Sequence, residues 1–433
     1  MKLSHPKSMK HFAGPEVLLT GAFVLYAAFN LFSMAAMSIS ASVLLVAIFY
    51  NTRKKTQASA PGFWVELKRV VTQGPGRLFF RASVALTFAL GISLAAAVFV
   101  PSLYEGNALH IQFLRTMSKV WYLFWPLLLV VGLKKLGDKN RKIVLQVWIV
   151  VSILLSATGV LQYFTGWPRP QPIPGNEPFF HTTLFLGHHL SVASILIFPF
   201  FALMDLAWKP ARFLSRWITI PGIGLGLLAL LGTYSRTLWV ALPVGLLLWS
   251  FFNLPRKGAI AAAVLVIMGS GLALQHPQIY NRVHASMGIG DRQALWLANF
   301  QFFKDRPLTG TGWRQNEEAS GYYLAARAQP GTPVFAGHAH SNLLDLLGGT
   351  GALGTVSWLA WWWVVFATLG QTRRRPGELK FPIGLLCAFI VFHINGFTQV
   401  NFWEGKVQHQ LAWVIAWILF WASNQESGKS HES

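Results

Sequence analysis

Carboxylates are scarce in this chain: 15 Asp and Glu stand against 36 Lys and Arg in 433 residues, and the four charged types together make only 12%. A surface so poor in charge does not suit an ordinary water-soluble enzyme of this length. The loops assigned below to the outer face hold no compact set of acids with Mg²⁺ or Mn²⁺ character, so metal-independent chemistry is expected. Cysteine is scarcer still. The single Cys387 lies in an apolar run, which excludes an intramolecular disulfide and a cysteine-based metal site. Neither a nucleotide-binding motif nor a repeat of fixed period is visible, so no cofactor and no solenoid are expected.

Apolar surface is what the chain has in excess: 53% of it is hydrophobic, with 19 Trp and 33 Phe. Lipid is the solvent such a composition calls for. The formal charge of +21 could point to nucleic acid. The basic residues, however, sit in short clusters between apolar runs and not in a stripe, so no nucleic-acid partner is expected.

Apolar runs long enough to cross a bilayer fall at about 16–32, 34–50, 82–100, 118–133, 144–163, 190–207, 217–234, 238–253, 258–274, 353–370, 381–398 and 407–423. The expected fold class is therefore an all-α polytopic membrane protein of about twelve transmembrane helices, one integral membrane domain over 1–433. Threading the runs from a cytoplasmic N-terminus sends Arg53, Lys54 and Lys55, the group Lys134 to Lys142, Lys209, Arg212 and Arg216, Arg256 and Lys257, and Arg373 to Arg375 to one side. By the positive-inside rule that side is the cytoplasm. The basic start, Met1 to Lys10, then leads into an uncleaved first helix, and the polar stretch 424–433 is a disordered cytoplasmic tail.

Three outer loops are long: about 101–117, about 164–189, and about 275–341 between the ninth and tenth runs. The second carries Trp167-Pro168-Arg169-Pro170 and ends in Gly187-His188-His189. The third contains an amphipathic stretch from Arg292, with Leu295, Trp296, Phe300 and Phe303 as its apolar stripe, then the turn Gly310-Thr311-Gly312-Trp313 after Pro307. It closes on His338-Ala339-His340-Ser341-Asn342, from which a helix runs with Asn342 as a candidate cap, Asp345 in its first turn and Gly348, Gly349 and Gly351 as its stop.

A helix N-terminus disfavours imidazolium, so His338 and His340 read as neutral bases. Arg236, in Tyr234-Ser235-Arg236-Thr237, and Arg292 reach the same face and offer planar forks for phosphoryl oxygens. Singly, each has a plainer reading. The histidines bond a loop backbone, Arg236 snorkels to headgroups, and Arg292 pairs with Asp291. Together they suit one task, holding a diphosphate while a base takes a proton from a hydroxyl. His188, His189 and Trp313 are weaker candidates for substrate contact.

These motifs, in this order, resemble the O-antigen ligase and polymerase superfamily: Ser235-Arg236 before an apolar helix, Arg292 through Ala298 and Pro307 to Gly312, and His340-Ser341-Asn342 to Gly351. The resemblance covers about 180–352 directly. It implies a glycosyltransferase at the periplasmic face of the bacterial inner membrane, with an undecaprenyl-diphosphate-linked glycan as donor. It also implies His340 as the base, accompanied by His338, and Arg236 and Arg292 as diphosphate binders. Among the family's reactions, ligation to the lipid A-core acceptor is favoured over polymerisation of repeats and over transfer to a protein hydroxyl. A secondary transporter is the more distant alternative, disfavoured because the ionisable groups gather at one surface and not at the midplane. Many members have Asn directly after the histidine; Ser341 intervenes here, which predicts a cap shifted by one residue.

Overall fold

The computed structural model describes residues 14–53, 62–99, 113–208, 214–275, 280, 289–329, 336–373 and 381–429. Lys54, Lys55, Lys209, Arg212, Arg374 and Arg375 of the basic clusters lie outside them, as do parts of the first and third outer loops and residues 430–433. The side chain of Asp291 is also outside.

In chain order the helices are α1 (Pro15–Phe29), α2 (Met34–Arg53), α3 (Phe63–Thr72), α4 (Gly74–Phe99) and α5 (Phe113–Met117). A 3-10 turn (Ser118–Leu123) leads into α6 (Trp125–Lys135), followed by α7 (Asp138–Thr165), α8 (His189–Trp208), α9 (Arg216–Gly232), α10 (Arg236–Asn253) and α11 (Arg256–Gln275). The third outer loop folds into α12 (Ile289–Asp305) and α13 (Asn316–Ala325), and the chain closes with α14 (Asn342–Arg373), α15 (Pro382–Gly396) and α16 (Gly405–Lys429).

Every expected apolar run falls on a helix. Among the described residues six helical segments are long and apolar enough to cross a membrane, and α1, α9 and α15 are shorter apolar helices. The molecule is all-helical among the described residues, in keeping with a solvent in which every backbone polar group must be satisfied internally. Most of these helices bury one side and leave the other, with residues such as Val46, Phe88 and Val240, facing outward. In α8 the apolar pattern runs all round, and 83% of its spanning window is buried, so it stands at the centre. Small residues let its neighbours approach: a Cβ on Gly245 of α10 or Gly384 of α15 would overlap Phe201 of α8.

Asp205 of α8 makes the contact that starts α15. Its carboxylate accepts from the Gly384 amide at 2.8 Å and from Trp249 Nε1 at 2.7 Å. It works as a cap donated by another helix.

Two expectations are corrected, and one further helix is unexpected. The apolar stripe of α12 is Leu295, Ala298 and Phe302, whereas Phe300 is 43% exposed; the helix faces Ala319 and Tyr323 of α13, and that contact selects the buried side. The stretch 424–429 is helical, because α16 continues through Lys429 past the apolar run. An unexpected amphipathic helix, α3, buries Phe63 and Val70 and seats Glu66 at 3.5 Å from Lys134.

Candidate functional site

The site is organised by a break in α14. At Gly351 the backbone turns to φ 60°, ψ −158°, so 342–350 and 352–373 are separate helical pieces joined by a non-helical residue. Such a break strands carbonyls on one side and amides on the other. The loop after α12 satisfies both. Thr311 and Gly312 amides donate to Gly348 and Gly349 carbonyls at 3.0 and 2.9 Å, while Ala352 and Leu353 donate to Pro307 and Leu308 carbonyls at 2.8 and 3.2 Å. Ser93 of α4 fastens the seam through its hydroxyl, to Thr309 O at 2.7 Å and Gly349 O at 2.9 Å. Glycine is required for the approach, since a Cβ on Gly310 or Gly351 would lie within 2.4 Å of facing backbone. The Gly310-Thr311-Gly312 turn thus meets backbone.

The first piece of α14 is capped at Ser341, one residue before the Asn342 that the sequence offered, because the Asn342 side chain is taken by a distant loop. The Ser341 hydroxyl accepts from Leu344 N at 3.5 Å, and Asn342 is released for another use. Its side chain ties the α15–α16 loop, accepting from the amides of Asn401 and Phe402 at 3.0 and 3.2 Å. Asp345 is buried one turn on, held by Asn316 Nδ2 at 2.8 Å.

In front of this helix the chain is pinned residue by residue. Ser320 bonds both polar groups of Gly337. Trp296 Nε1 donates to Ala339 O at 2.8 Å, and Asp345 accepts from the Ala339 amide at 3.4 Å. His340 takes the left-handed conformation, φ 46°, a strained state for a residue with a Cβ, and its amide donates to His338 Nδ1 at 3.2 Å. The two imidazoles consequently stand edge to face, 4.2 Å apart.

The charges that bear on His340 show which predicted residues the fold brings together. Burial, then the charges of His338, Arg292 and His188, hold His340 down at about 4, so its imidazole is neutral at pH 7. Arg292, at the start of α12, and His188, just before α8, thus lie within electrostatic reach of it. Burial also lowers His188, opposed by Glu404 and reinforced by Lys406 and His338. His188 Nδ1 meets Ser191 Oγ at 3.2 Å, and Ser191 donates onward to Glu404.

Arg236 opens α10 behind the Ser235 cap, half-buried, and is not among the charges that bear most on His340. Its chain neighbours face α15 and the loop after it, Ser235 reaching Asn395 at 3.5 Å and Thr237 bonding Thr398. His189 stacks on His181 at 4.3 Å, and His181 in turn packs edge-on to Tyr234. Trp313 lies behind the site, 2% exposed and edge-on to Trp403 at 4.9 Å, where it supports a lining residue without meeting solvent.

Beside the histidines opens a cavity of about 400 Å³. His338 is on its wall, together with Lys119 and Tyr122 from the 3-10 turn, Arg314 before α13, and Glu404 before α16. The sequence reading missed Lys119, Arg314 and Glu404. A local signal existed for Glu404, an outer carboxylate in an acid-poor chain; Lys119 merely opens an apolar run and Arg314 follows a turn.

The fold and this site define a multi-pass helical membrane protein with a neutral histidine beside cationic side chains at one end of the bundle. Residues 221–359 match the family model described as O-antigen ligase, so the resemblance drawn from the motifs holds over that segment. Members of that family are glycosyltransferase-like enzymes acting on lipid-linked glycans. The matched segment contains Arg236, Arg292, Trp313, His338 and His340, while His188, His189, Lys119 and Glu404 lie outside it. Comparison with curated proteins gives no match.

Proposed function

We propose that the chain is an O-antigen ligase with twelve membrane crossings and cytoplasmic termini in the bacterial inner membrane. It transfers glycan from undecaprenyl diphosphate to a sugar hydroxyl of lipid A-core at the periplasmic face. The donor's diphosphate is held by Arg292 and Arg236, whose planar guanidinium groups match phosphoryl oxygens two at a time. The acceptor oxygen attacks the anomeric carbon, its proton passes to a ring nitrogen of His340, and the bond to undecaprenyl diphosphate breaks in the same displacement. A single displacement inverts the anomeric configuration. The donor bond is already activated, so nucleotide plays no part, and arginine neutralises the leaving charge in the role a metal ion takes elsewhere.

The observation that carries this reading is the state of His340: a strained residue before a helix N-terminus, kept neutral by burial and by the nearby charges of His338 and Arg292. Neutrality makes it an acceptor of protons. A bound diphosphate would offset the charge of Arg292 and raise the proton affinity of His340, so the base strengthens when the donor is in place.

The test is transfer by the purified chain, supplied with lipid-linked glycan and lipid A-core in the presence of chelator and without nucleotide. A ladder of glycan-capped lipid A-core is expected. Elongation of lipid-linked repeats without capping identifies a polymerase, glycan on a protein hydroxyl identifies the protein-modifying reaction, and donor crossing a vesicle bilayer without product identifies a transporter. Each of those three outcomes overturns ligation.

A further inference from the structure

The cavity beside the histidines excludes Arg236 and Arg292 from its lining yet includes His338. Of the histidine pair His338 is on this wall, with the His340 ring 4.2 Å from it, so the cavity reaches the pair from a side that neither arginine lines. Two cations line this approach, and neither is in an ion pair among the described residues. Burial weighs most on the Lys119 charge, followed by the like charges of Arg314 and Arg115, eased by Glu317 of the same wall. Arg314 also holds a left-handed backbone, φ 63°, a strained conformation for a residue with a side chain. Repulsion and strain kept together in a half-buried place need a compensating interaction, and an anionic ligand supplies one.

The rest of the wall indicates what carries the anion. Trp121 and Tyr122 stack at 4.0 Å with their planes 27° apart, and Trp121 is 40% exposed, so an aromatic platform faces the opening. Such a surface takes the C–H face of a sugar ring. Glu317 and Glu404 offer acceptors for hydroxyl groups, and Asn316 is on the same wall. Paired cations, hydroxyl acceptors and an aromatic plate together fit an acidic saccharide.

We propose that this cavity receives the acceptor glycolipid, with Lys119 and Arg314 holding an anionic substituent of its sugars, phosphate or carboxylate, so that a neighbouring hydroxyl faces His338 and His340. The proposal rests on the transferase reading and adds to it a separate acceptor site. Donor and acceptor then enter from different sides and meet at the imidazoles. Loss of either cation weakens acceptor binding and leaves donor binding alone.

The experiment uses the full chain in lipid nanodiscs with two variants, Lys119→Gln and Arg314→Gly, the second chosen because glycine accepts the left-handed backbone without strain. Transfer is measured with acceptor varied at saturating donor, then with donor varied at saturating acceptor. In each variant the acceptor KM is expected to rise about 10- to 100-fold, as loss of a charge-assisted hydrogen bond implies, with donor KM within about twofold of the parent. Acceptor stripped of phosphate, or with its carboxylates methylated, identifies the anion: the form that raises the parent's KM to the variants' level carries it. Unchanged acceptor KM in both variants, or a shift in donor KM instead, overturns the proposal. Binding of acceptor alone, followed by quenching of tryptophan fluorescence, separates the two readings. A parent that binds acidic acceptor more tightly than its variants but never transfers upholds the cavity and defeats the transferase assignment. Transfer by parent and variants alike does the reverse.

Discussion

At the end of the bundle where α6 meets α7, cations find carboxylates; at the end where α14 begins, Lys119 and Arg314 do not. The first region contains the ion pairs found among the described residues: Glu66 with Lys134 at 3.5 Å and Arg69 at 3.7 Å, and Asp138 with Arg141 at 2.5 Å. Nearby, the buried Asp205 is consumed by Trp249 and the first turn of α15. Charges there are mutually satisfied, which suits an anchor. At the other end the carboxylates are directed elsewhere, Asp345 to Asn316 and Ala339, and Glu404 to Ser191 and Gln399. Lys119, Arg314 and His338 are left on the wall of a cavity, with the neutral His340 packed against His338. The contrast teaches that acids at one end close ion pairs with their cations, while at the other Lys119 and Arg314 keep no ion pair among the described residues, Glu317 only easing the charge of Lys119, which leaves a place for an anionic ligand.

The largest effect that would test this division is at the base. On the proposed mechanism His340→Ala lowers the transfer rate by about 10²–10⁴ while the protein stays folded in the membrane. Near-normal capped product from that variant breaks the assignment. Arg292→Lys and Arg236→Lys keep the charge and lose the fork, with an expected fall of about 10- to 100-fold in kcat/KM for donor. Arg141→Lys, the same change at the paired end, is expected to leave transfer within about twofold, because exposed ion pairs contribute little. Equal effects at both ends would erase the comparison.

Two substitutions probe stability. Gly351→Ala forces a side chain into a conformation reserved for glycine and against Leu308, so a loss of more than about 1–3 kcal/mol is expected, read as a drop in thermal midpoint. Asp205→Ala leaves Trp249 Nε1 and the Gly384 amide without their acceptor, a loss of about 1–3 kcal/mol, with both substrate KM values unmoved. A shifted KM there would connect the anchoring end to the site.

The mildest test is pH. His340 sits at about 4 when folded against 6.5 ordinarily, so it deprotonates early, and kcat/KM for donor should hold down to about pH 4 and fall below it. With donor bound, Arg292 is offset, and the acid limb of kcat is expected at higher pH than that of kcat/KM. The same depression makes the unfolded chain bind the extra proton between 6.5 and 4, so this residue's contribution to stability is lost as pH falls through that window. A limb near 6.5 in kcat/KM would contradict the neutral-base account.

Much of this was legible before folding. Runs of apolar residues are local, and lipid imposes helices on them whatever their neighbours, so each run in the sequence lies on a helix. His338, His340 and Arg292 were legible too, as residue types gathered on one face, whereas the cap was read at Asn342 and falls at Ser341. The stripe of α12 was misplaced because its pattern is nearly as apolar on two sides, and only contact with Ala319 and Tyr323 chose between them.

The sequence by itself determined the solvent, the helices and the chemistry available at one end, since these depend on composition and short-range order. The tertiary structure alone decided that His188 lies near enough for its charge to bear on His340 as that of Arg292 does, that the loop at Pro307–Gly312 closes the break at Gly351, and that Lys119 and Arg314 share a cavity. These are pairings across tens to hundreds of residues, set by how helices pack and by which distant backbone satisfies a stranded amide or carbonyl, and no local pattern encodes them.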